Sequence, residues 1–208
     1  KVVSKSEGRY VRLDNVEPSK KAVELGKLTE KDPRLMELIL TESREIVRYR
    51  NGVIVVENRQ GVILANAGID QSNVESDNEA EQVLLLPMNP DESASNIRKQ
   101  LQKKSNVNVA VIINDSIGRA WRNGTIGTAL GVSGLPSIMN LRGQPDLFGT
   151  PLRTTEVAIT DELSSAASLL QGQANEGQPV VLIRGYSFSI PSSTESAKTG
   201  LSDLIRPK

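Results

Sequence analysis

The sequence of 208 residues contains no cysteine and no histidine. Without cysteine the chain has no disulfide bond and no thiolate nucleophile, and without histidine it lacks the usual general base near neutral pH. The two missing residues are also the best side-chain ligands for transition metals. Chemistry in this protein therefore has to come from carboxylates, hydroxyls, lysine, arginine, backbone amides and a hard metal ion.

The sequence also has no excess charge of either sign and few aromatic residues. Lys and Arg together number 25, as do Asp and Glu, so the chain lacks the basic footprint that binds duplex nucleic acid. Aromatic residues make up 3% of the chain, which is poor for stacking single-stranded bases. We therefore expect no nucleic-acid partner.

Long apolar runs and a signal-peptide pattern are absent as well. We therefore expect no membrane association and a cytoplasmic location. The sequence starts at Lys1 without an initiator methionine, and residues 1–4 resemble the tail of a strand already under way. We expect that an N-terminal segment is missing and that residues 1–208 form a single domain.

Caps, turn residues and hydrophobic periodicity predict a mixed order of helices and strands, which favours an α+β fold with mixed sheets. The expected helices cover residues 19–31, a stripe from the N-cap Asp32 to Ile46, 90–104 with Leu101 facing inward, and 161–170 with Asp161 as N-cap. The expected strands cover 53–57, 62–65, 83–86, 109–113, 154–160 and 180–183, with a hairpin turn at 58–61. Residues 115–150 predict a long glycine-rich functional segment with little periodicity.

The first candidate site residue, Asp115, follows the apolar run 109–113. Polar residues after a buried strand often lie where ligands bind, and a carboxylate followed by the hydroxyl of Ser116 suits magnesium or manganese. The alternative is that Asp115 forms only an Asx-turn where the strand ends. The sequence alone leaves both interpretations open.

A second candidate is Asp70, in the stretch ANAGIDQSN. Asp70, Ser72 and Asn73 offer three oxygen-bearing side chains within four residues, although such residues also populate turns for purely local reasons. Taken alone, the turn is the better interpretation. Two such acidic segments in a chain without histidine or cysteine shift the balance slightly towards a metal site with two carboxylates.

Phosphate-binding fingerprints are missing, since the sequence contains neither GxxxxGK[ST] nor GxGxxG after a strand. Other donors are available in Lys5 and in the backbone amides of the turn QGQANEGQ, residues 171–178. Such a turn more often only joins a helix to a strand. Arg119, Arg122, Arg142 and Arg153 flank the glycine-rich segment and are suited to carboxylate or phosphate, or to a solvated surface.

Several motifs taken together resemble one family, the coenzyme F-420:L-glutamate ligases (F-420 gamma-glutamyl ligases). The motifs are SKSEGR, AGIDQSN, INDSIGRAWR, TDELSSAASLL and PVVLIRG, in order and with near-constant spacing from residue 1 to about residue 187. AGIDQSN together with INDSIGRAWR carries the resemblance most specifically. Composition and periodicity did not show it.

The resemblance implies a GTP-dependent ligase that adds L-glutamate to the glutamate-free coenzyme F-420 precursor and then extends the chain through the γ-carboxylate. It implies a family-specific α+β fold in an intertwined homodimer, with Mg²⁺ or Mn²⁺ held by Asp70, Asp115 and Ser116, and it allows K⁺ as a further cation. The implied GTP contacts are Lys5, Asn73, Gln171, Gly172, Gln173, Ala174, Asn175, Glu176, Gly177 and Gln178.

Two further hypotheses stay open at this stage. The chain is either a non-catalytic homodimeric module that binds a nucleotide or an acidic metabolite, or a different carboxylate–amine ligase on the same scaffold. Metal-dependent GTP hydrolysis coupled to glutamate distinguishes a ligase from the non-catalytic module. A panel of amine and acid acceptors distinguishes an F-420 ligase from a different carboxylate–amine ligase.

Overall fold

The computed structural model describes residues 1–74, 81–187 and 200–205. The chain divides into two compact units, Lys1–Met88 and Asn89–Lys208. Both units mix helices with small antiparallel sheets, which agrees with the predicted α+β class. Within the described ranges, no helix is long and apolar enough to cross a membrane.

The first unit contains three helices, five strands and two short 3₁₀ turns among its described residues. These are α1 (Val2–Ser6), β1 (Tyr10–Arg12), α2 (Lys20–Thr29), α3 (Pro33–Thr41), β2 (Ser43–Arg50), β3 (Val53–Asn58), β4 (Ile63–Ala65) and β5 (Gln82–Leu84), with the 3₁₀ turns Leu13–Asn15 and Asn66–Gly68. Strands β2, β3 and β4 form one antiparallel sheet in that order, and β1 pairs with β5. The hairpin of β3 and β4 was predicted from the sequence and is confirmed.

Side-chain caps define where the two longer helices of this unit begin. The hydroxyl of Ser19 accepts a hydrogen bond from the Ala22 N–H at the start of α2. At the start of α3, Asp32 accepts from the Arg34 N–H, and Pro33 occupies the first turn, where its missing N–H costs nothing. Both helices were predicted, and their starts are confirmed.

The predicted extension of the third helix to Ile46 is wrong. Helix α3 ends at Thr41, and β2 begins at Ser43, whose hydroxyl donates to the Ile39 carbonyl near the helix end. Ile46 pairs with Val56 in the sheet instead. The segment 43–50 forms a strand because it pairs with β3 in a tight hairpin through Asn51 and Gly52. Asn-Gly between two strands is a strong hairpin signal, and the helical spacing of the apolar residues obscured it.

The first unit has one apolar core between the two helices and the three-stranded sheet. Its largest fully buried side chains are Leu13, Met36, Ile39, Ile54, Val56 and Val83. This core fixes α3 and β3, and through β4 and β5 it fixes the ends of the segment that carries Asp70.

The second unit is organised around one long hairpin. Its described elements are α4 (Pro90–Ser105), β6 (Val111–Arg119), β7 (Arg122–Ser133), β8 (Met139–Asn140), β9 (Glu156–Val157), α5 (Ile159–Gln171) and α6 (Leu201–Leu204). Strands β6 and β7 pair antiparallel, as do β8 and β9. Helices α4 and α5 both pack on this hairpin.

The predicted end of the apolar strand at residue 113 is wrong. Strand β6 runs through Asp115 to Arg119, and β7 follows at once with 12 residues. The glycines of the 115–150 segment were interpreted as marks of irregular structure, but two of them lie in β7. A Cβ at Gly127 would collide with α5 at Ser164 and Ser168, and a Cβ at Gly131 with Pro90 of α4. These glycines permit close packing of helices on a strand.

Three further predictions in this unit need correction. The strand expected at 154–160 shrinks to Glu156–Val157, and α5 begins at Ile159 with Ala158 as N-cap instead of Asp161. Residues 180–183 form no strand, and Val180 is 81% exposed. Leu101 of α4 is 44% exposed and does not face inward, whereas the predicted span of the helix is confirmed.

Asp161 lies in the first turn of α5 and holds the helix to the hairpin. Its carboxylate accepts a hydrogen bond of 2.9 Å from the Ala129 N–H of β7. Burial raises the pKa of Asp161, and the hydrogen bond from Ala129 opposes that rise without cancelling it. Ionisation of this carboxyl therefore lowers the stability of the folded protein.

We predict that Asp161→Asn flattens the pH dependence of stability. A carboxyl whose pKa is raised by folding contributes stability that is present below its unfolded pKa and lost as the pH rises through its folded pKa. The asparagine keeps an oxygen for the Ala129 N–H but cannot ionise. Urea unfolding between pH 4 and pH 7 should show a smaller loss of stability in the variant than in the wild type.

The control is Glu162→Gln, an exposed acid one residue further along α5. This variant should reproduce the wild-type dependence on pH. Equal slopes in wild type and Asp161→Asn would contradict the assignment.

Candidate functional site

The residues predicted for the site fall into two groups, one in each unit. Lys5, Asp70 and Asn73 belong to the first unit, and Asp115, Ser116 and residues 171–178 belong to the second. The two groups are described separately.

In the first unit, Asp70 is held in place through its backbone. Its N–H donates to the Leu84 carbonyl at 2.9 Å, and its carbonyl accepts from the Leu84 N–H at 2.8 Å. The chain reaches this point through Gly68, which has φ +74° and whose added Cβ would collide with Leu86 and Leu64. The glycine of the AGID motif is therefore required by both backbone conformation and packing.

The carboxylate of Asp70 is surrounded by donors. Lys1 Nζ lies 2.6 Å from Oδ2, while the N–H and the hydroxyl of Ser72 both donate to Oδ1 at 2.8 Å. Burial would raise the pKa of Asp70, but the hydrogen bonds from Lys1 and Ser72 outweigh it and lower the pKa. Asp70 is thus held as a carboxylate with a cation already at one oxygen.

Lys5 and Asn73, both predicted as site residues, are brought together. Lys5 Nζ donates to the Asn73 carbonyl at 2.9 Å. Lys1 donates to the carbonyl and the hydroxyl of Ser72 at 3.2 and 2.9 Å. Lys1 and Lys5 are four residues apart at α1, so their side chains share one face of that turn. The first-unit cluster (Lys1, Lys5, Asp70, Ser72, Asn73) therefore combines two ammonium groups with several oxygen atoms.

In the second unit, side-chain alternation along β6 decides what each residue can contact. The two register irregularities add residues to β7, at Leu130 and near the turn, so alternation along β6 itself is unbroken. Asn114 and Ser116 therefore face one way. Asp115 faces the other way.

The Asn114 side of the hairpin is covered by α5. Asn114 Nδ2 donates to Gln171 Oε1 at 2.8 Å, and Gln171 Nε2 donates to the Pro179 carbonyl at 3.3 Å. Gln171 is the last residue of α5 and the first of the turn predicted to bind nucleotide. Strand β6 is thus tied to the first residue of the 171–178 turn, and Gln171 in turn bonds the residue that follows the turn.

We call the opposite side the Asp115 face: Asp115, Ile117 and Arg119 of β6 with Ile126 and Thr128 of β7. Asp115 pairs directly with Thr128, and Ile117 with Ile126, and paired residues of an antiparallel ladder share a face. Asp115 Oδ1 accepts the Ser116 N–H at 2.8 Å. Ser116 therefore orients Asp115 through its backbone, while its hydroxyl belongs to the other face of the strand.

The 171–178 turn already holds an anionic group of its own. The carboxylate of Glu176 accepts the Ala174 N–H at 2.8 Å. Hydrogen bonds from the backbone of Ala174, and more weakly of Glu176 and Gln173, lower the pKa of Glu176. Amide groups of this turn therefore point in directions that suit an anionic oxygen.

The donors of both groups are hard oxygen atoms, as Mg²⁺ and Mn²⁺ prefer. A cation at Asp70 Oδ2 would take the place of the Lys1 ammonium, which lies at that oxygen. Within residues 1–74, 81–187 and 200–205, no group of three or more acidic side chains is close enough to hold a metal ion alone. A metal bound here would need further oxygen atoms, such as those of a ligand or of water.

Sequence reasoning missed three residues that the structure adds to these groups. Lys1 reaches Asp70, and the spacing of the two lysines in KVVSK was a signal that could have found it. Arg119 had been noted only as one of several flanking arginines. Thr128 carried no signal, because its place opposite Asp115 depends on the register of β7.

Comparison with known proteins agrees with the resemblance drawn from the motifs. Residues 1–185 match the family model described as F420-0:Gamma-glutamyl ligase. The coenzyme F420:L-glutamate ligase of Methanocaldococcus jannaschii is 45% identical over 207 residues, which span 100% of this chain and 79% of that protein. The enzymes of the same name from Methanothermobacter thermautotrophicus and Methanosarcina mazei are 46% and 38% identical, over 79% and 80% of their lengths.

The chain therefore belongs to the F420-0:gamma-glutamyl ligase family. This confirms the resemblance on which the site residues were first assigned.

Proposed function

We propose that this protein is a GTP- and divalent-metal-dependent ligase that adds L-glutamate to the glutamate-free F420 precursor. The observation that carries the proposal is the family match over residues 1–185, together with relatives named coenzyme F420:L-glutamate ligase that are similar over the whole chain. After the first addition, further glutamate would be attached through the γ-carboxylate.

Joining a carboxylate to an amine requires that the carboxylate be activated first. In the proposed reaction a carboxylate oxygen of the precursor attacks the γ-phosphorus of GTP, which gives an acyl phosphate and releases GDP. The amine of L-glutamate then attacks the acyl carbon, phosphate leaves, and the nitrogen loses a proton. Both steps depend mainly on positioning and on neutralising charge, which this chain can supply without histidine or cysteine.

Asp70 and Asp115 are the proposed metal ligands, with Ser116 beside Asp115. A divalent cation bound by either carboxylate would neutralise negative charge on the phosphate oxygens. The chain contributes preorganisation: backbone pairing with Leu84 fixes Asp70, and the Ser116 N–H fixes Asp115. In the strand conformation Ser116 acts through this N–H, and a role for its hydroxyl as a ligand requires a local bend of β6.

The proposed GTP contacts are Lys5, Asn73 and the turn 171–178. Lys5 is a mobile point charge suited to a phosphate, and it already lies at Asn73. The Glu176 carboxylate supports a role for the turn, because it shows the backbone amides binding an anionic oxygen. Glu176 would have to leave these amides when a phosphate binds.

We also propose a homodimer. Support comes from apolar side chains of the second unit that no described residue covers, among them Leu169, Val180 and Leu182 at 84%, 81% and 65% exposure. Large apolar side chains left this exposed favour association with another protein surface. The family resemblance makes a second copy of the chain the expected partner.

We predict that Asp115→Asn lowers the rate of glutamate ligation by about 100-fold or more, because it removes the charge that holds the cation. The variant should keep its far-UV circular dichroism spectrum. Glutamate incorporation into the F420 precursor, followed by mass spectrometry at saturating Mg²⁺ or Mn²⁺, measures the effect. Glu162→Gln, an exposed acid of the same unit, is the control and should leave the rate unchanged.

Near-normal turnover in Asp115→Asn would remove Asp115 from the metal site. A wild-type protein that binds GTP with Mg²⁺ but forms no product with glutamate would favour the non-catalytic binding module instead.

We predict that Lys5→Met weakens GTP and GDP binding at least about tenfold, because charge-assisted hydrogen bonds contribute roughly 1.5–3 kcal/mol. Calorimetric titration of both nucleotides in the presence of Mg²⁺ measures the change. Lys27→Met, at an exposed position of α2, removes the same charge and should have little effect. Equal affinity in wild type and Lys5→Met would exclude Lys5 from the nucleotide site.

We predict that light scattering shows a dimer at micromolar concentration and that Leu182→Glu shifts it towards monomer, because a charge would be buried in the interface. Leu28→Glu, at a position of the first unit that is 57% exposed, serves as control and should remain dimeric. A monomeric wild-type protein would contradict the proposal.

A further inference from the structure

Two buried polar groups on the Asp115 face lack a hydrogen-bond partner among the described residues. They are Nε of Arg119 and Oγ1 of Thr128. Buried donors without a partner are rare, because each forfeits its hydrogen bonds to water. Two on the same face of one hairpin, beside the proposed metal ligand, therefore point to a bound group.

Arg119 is the stronger of the two signals. Its side chain makes one hydrogen bond to another described residue, a long one from Nη2 to the Asn123 carbonyl at 3.4 Å. No carboxylate of the described residues forms an ion pair with it. A partly buried guanidinium in this state keeps most of its donor fork available for an anion.

The position of Arg119 raises the local positive charge further. Arg119 pairs across the hairpin with Arg122. Like charges directly opposite each other in an antiparallel pair destabilise the pair unless an anion lies between or beside them. The hairpin end therefore favours a negatively charged group.

Thr128 lies at the Asp115 end of the face. It is paired directly with Asp115, which places the two Cβ atoms at about 4.5–5.5 Å. Asp115 and Arg119 are four residues apart on one strand, or about 13 Å from Cα to Cα. This spacing leaves room for a ligand that contacts a cation at Asp115 at one end and the Arg119 guanidinium at the other.

We propose that Arg119 binds an anionic oxygen group of a substrate and so determines the position of that substrate on the Asp115 face, with the Thr128 hydroxyl donating to the same substrate nearer Asp115. The group is a carboxylate of the amino acid or a phosphate of the nucleotide, both of which fit the planar fork of arginine. Electrostatics determines which end of the ligand lies where along β6. Asp115 attracts a cation and repels an anion, whereas Arg119 does the reverse. The identity of the ligand rests on the proposed function, whereas the evidence for an anion site comes from the hairpin residues themselves.

The test is direct binding, measured by calorimetry, of two probes to the full chain: GTP with Mg²⁺, and L-glutamate in the presence of GTP and Mg²⁺. Arg119→Met should weaken at least one of them about tenfold or more, while Arg119→Lys should restore part of the loss. If GTP weakens, the group is a phosphate. If only L-glutamate weakens, it is a carboxylate, and L-glutamine and isoglutamine as further probes tell the γ- from the α-carboxylate.

Arg153→Met is the matched control, since it removes the same charge at an exposed position of the same unit. It should leave both affinities within about twofold of wild type. Thr128→Val removes only the hydroxyl and should weaken the same probe as Arg119→Met, by a smaller factor. Thermal unfolding of each variant shows that the fold is retained.

The proposal is overturned if Arg119→Met binds both probes like wild type, if Arg153→Met has the same effect as Arg119→Met, or if the wild-type protein binds neither probe. The protein could also bind a probe through Arg119 and yet form no ligation product. That result would contradict the proposed reaction but support the anion site.

Discussion

The alternation of side chains along β6 is the constraint on which the second unit depends. It sends Asn114 to Gln171 of α5 and Asp115 to the opposite face, with Thr128 and Arg119. A slip of one residue in this strand would exchange the two faces, because the side-chain period of a strand is two. Both irregularities of the hairpin fall in β7, so the strand that carries Asp115 stays regular and presents its carboxylate in one fixed direction.

The second constraint is that the chain offers chiefly hard oxygen ligands for a metal, and it follows from the absence of histidine and cysteine. A chain without histidine and cysteine has to neutralise phosphate charge with lysine, arginine, backbone amides and a cation held by carboxylates. The structure shows such groups in each unit. The first has Lys1 at Asp70 and Lys5 at Asn73, and the second has Asp115, Arg119 and the amides of the 171–178 turn. The Lys1 ammonium and a metal ion would compete for the same oxygen of Asp70, so binding of the metal should be coupled to movement of Lys1.

The sequence was sufficient for features that depend on a few neighbouring residues. The caps Ser19 and Asp32 and the hairpin of β3 and β4 were predicted because their signals are local. Strands β2 and β7 were missed although each forms a tight hairpin with its neighbour in sequence. The apolar stripe through Ile46 suggested a continued helix, and Gly127 and Gly131 serve helix packing instead of irregular structure. The motifs singled out Asp70 and Asp115, and the spacing of the lysines could have found Lys1, but Thr128 and the role of Arg119 emerge only from side-chain contacts and strand register.

The central claim of this account is that the Asp115 carboxylate holds a divalent cation for the phosphates of a nucleotide. Anomalous X-ray diffraction from crystals of the protein with Mn²⁺ and a non-hydrolysable GTP analogue tests it most directly. The account predicts a manganese peak at bonding distance from an oxygen of Asp115, and loss of that contact in Asp115→Asn. A manganese ion bound only by the nucleotide and water, with no oxygen of Asp115 at bonding distance, would contradict it.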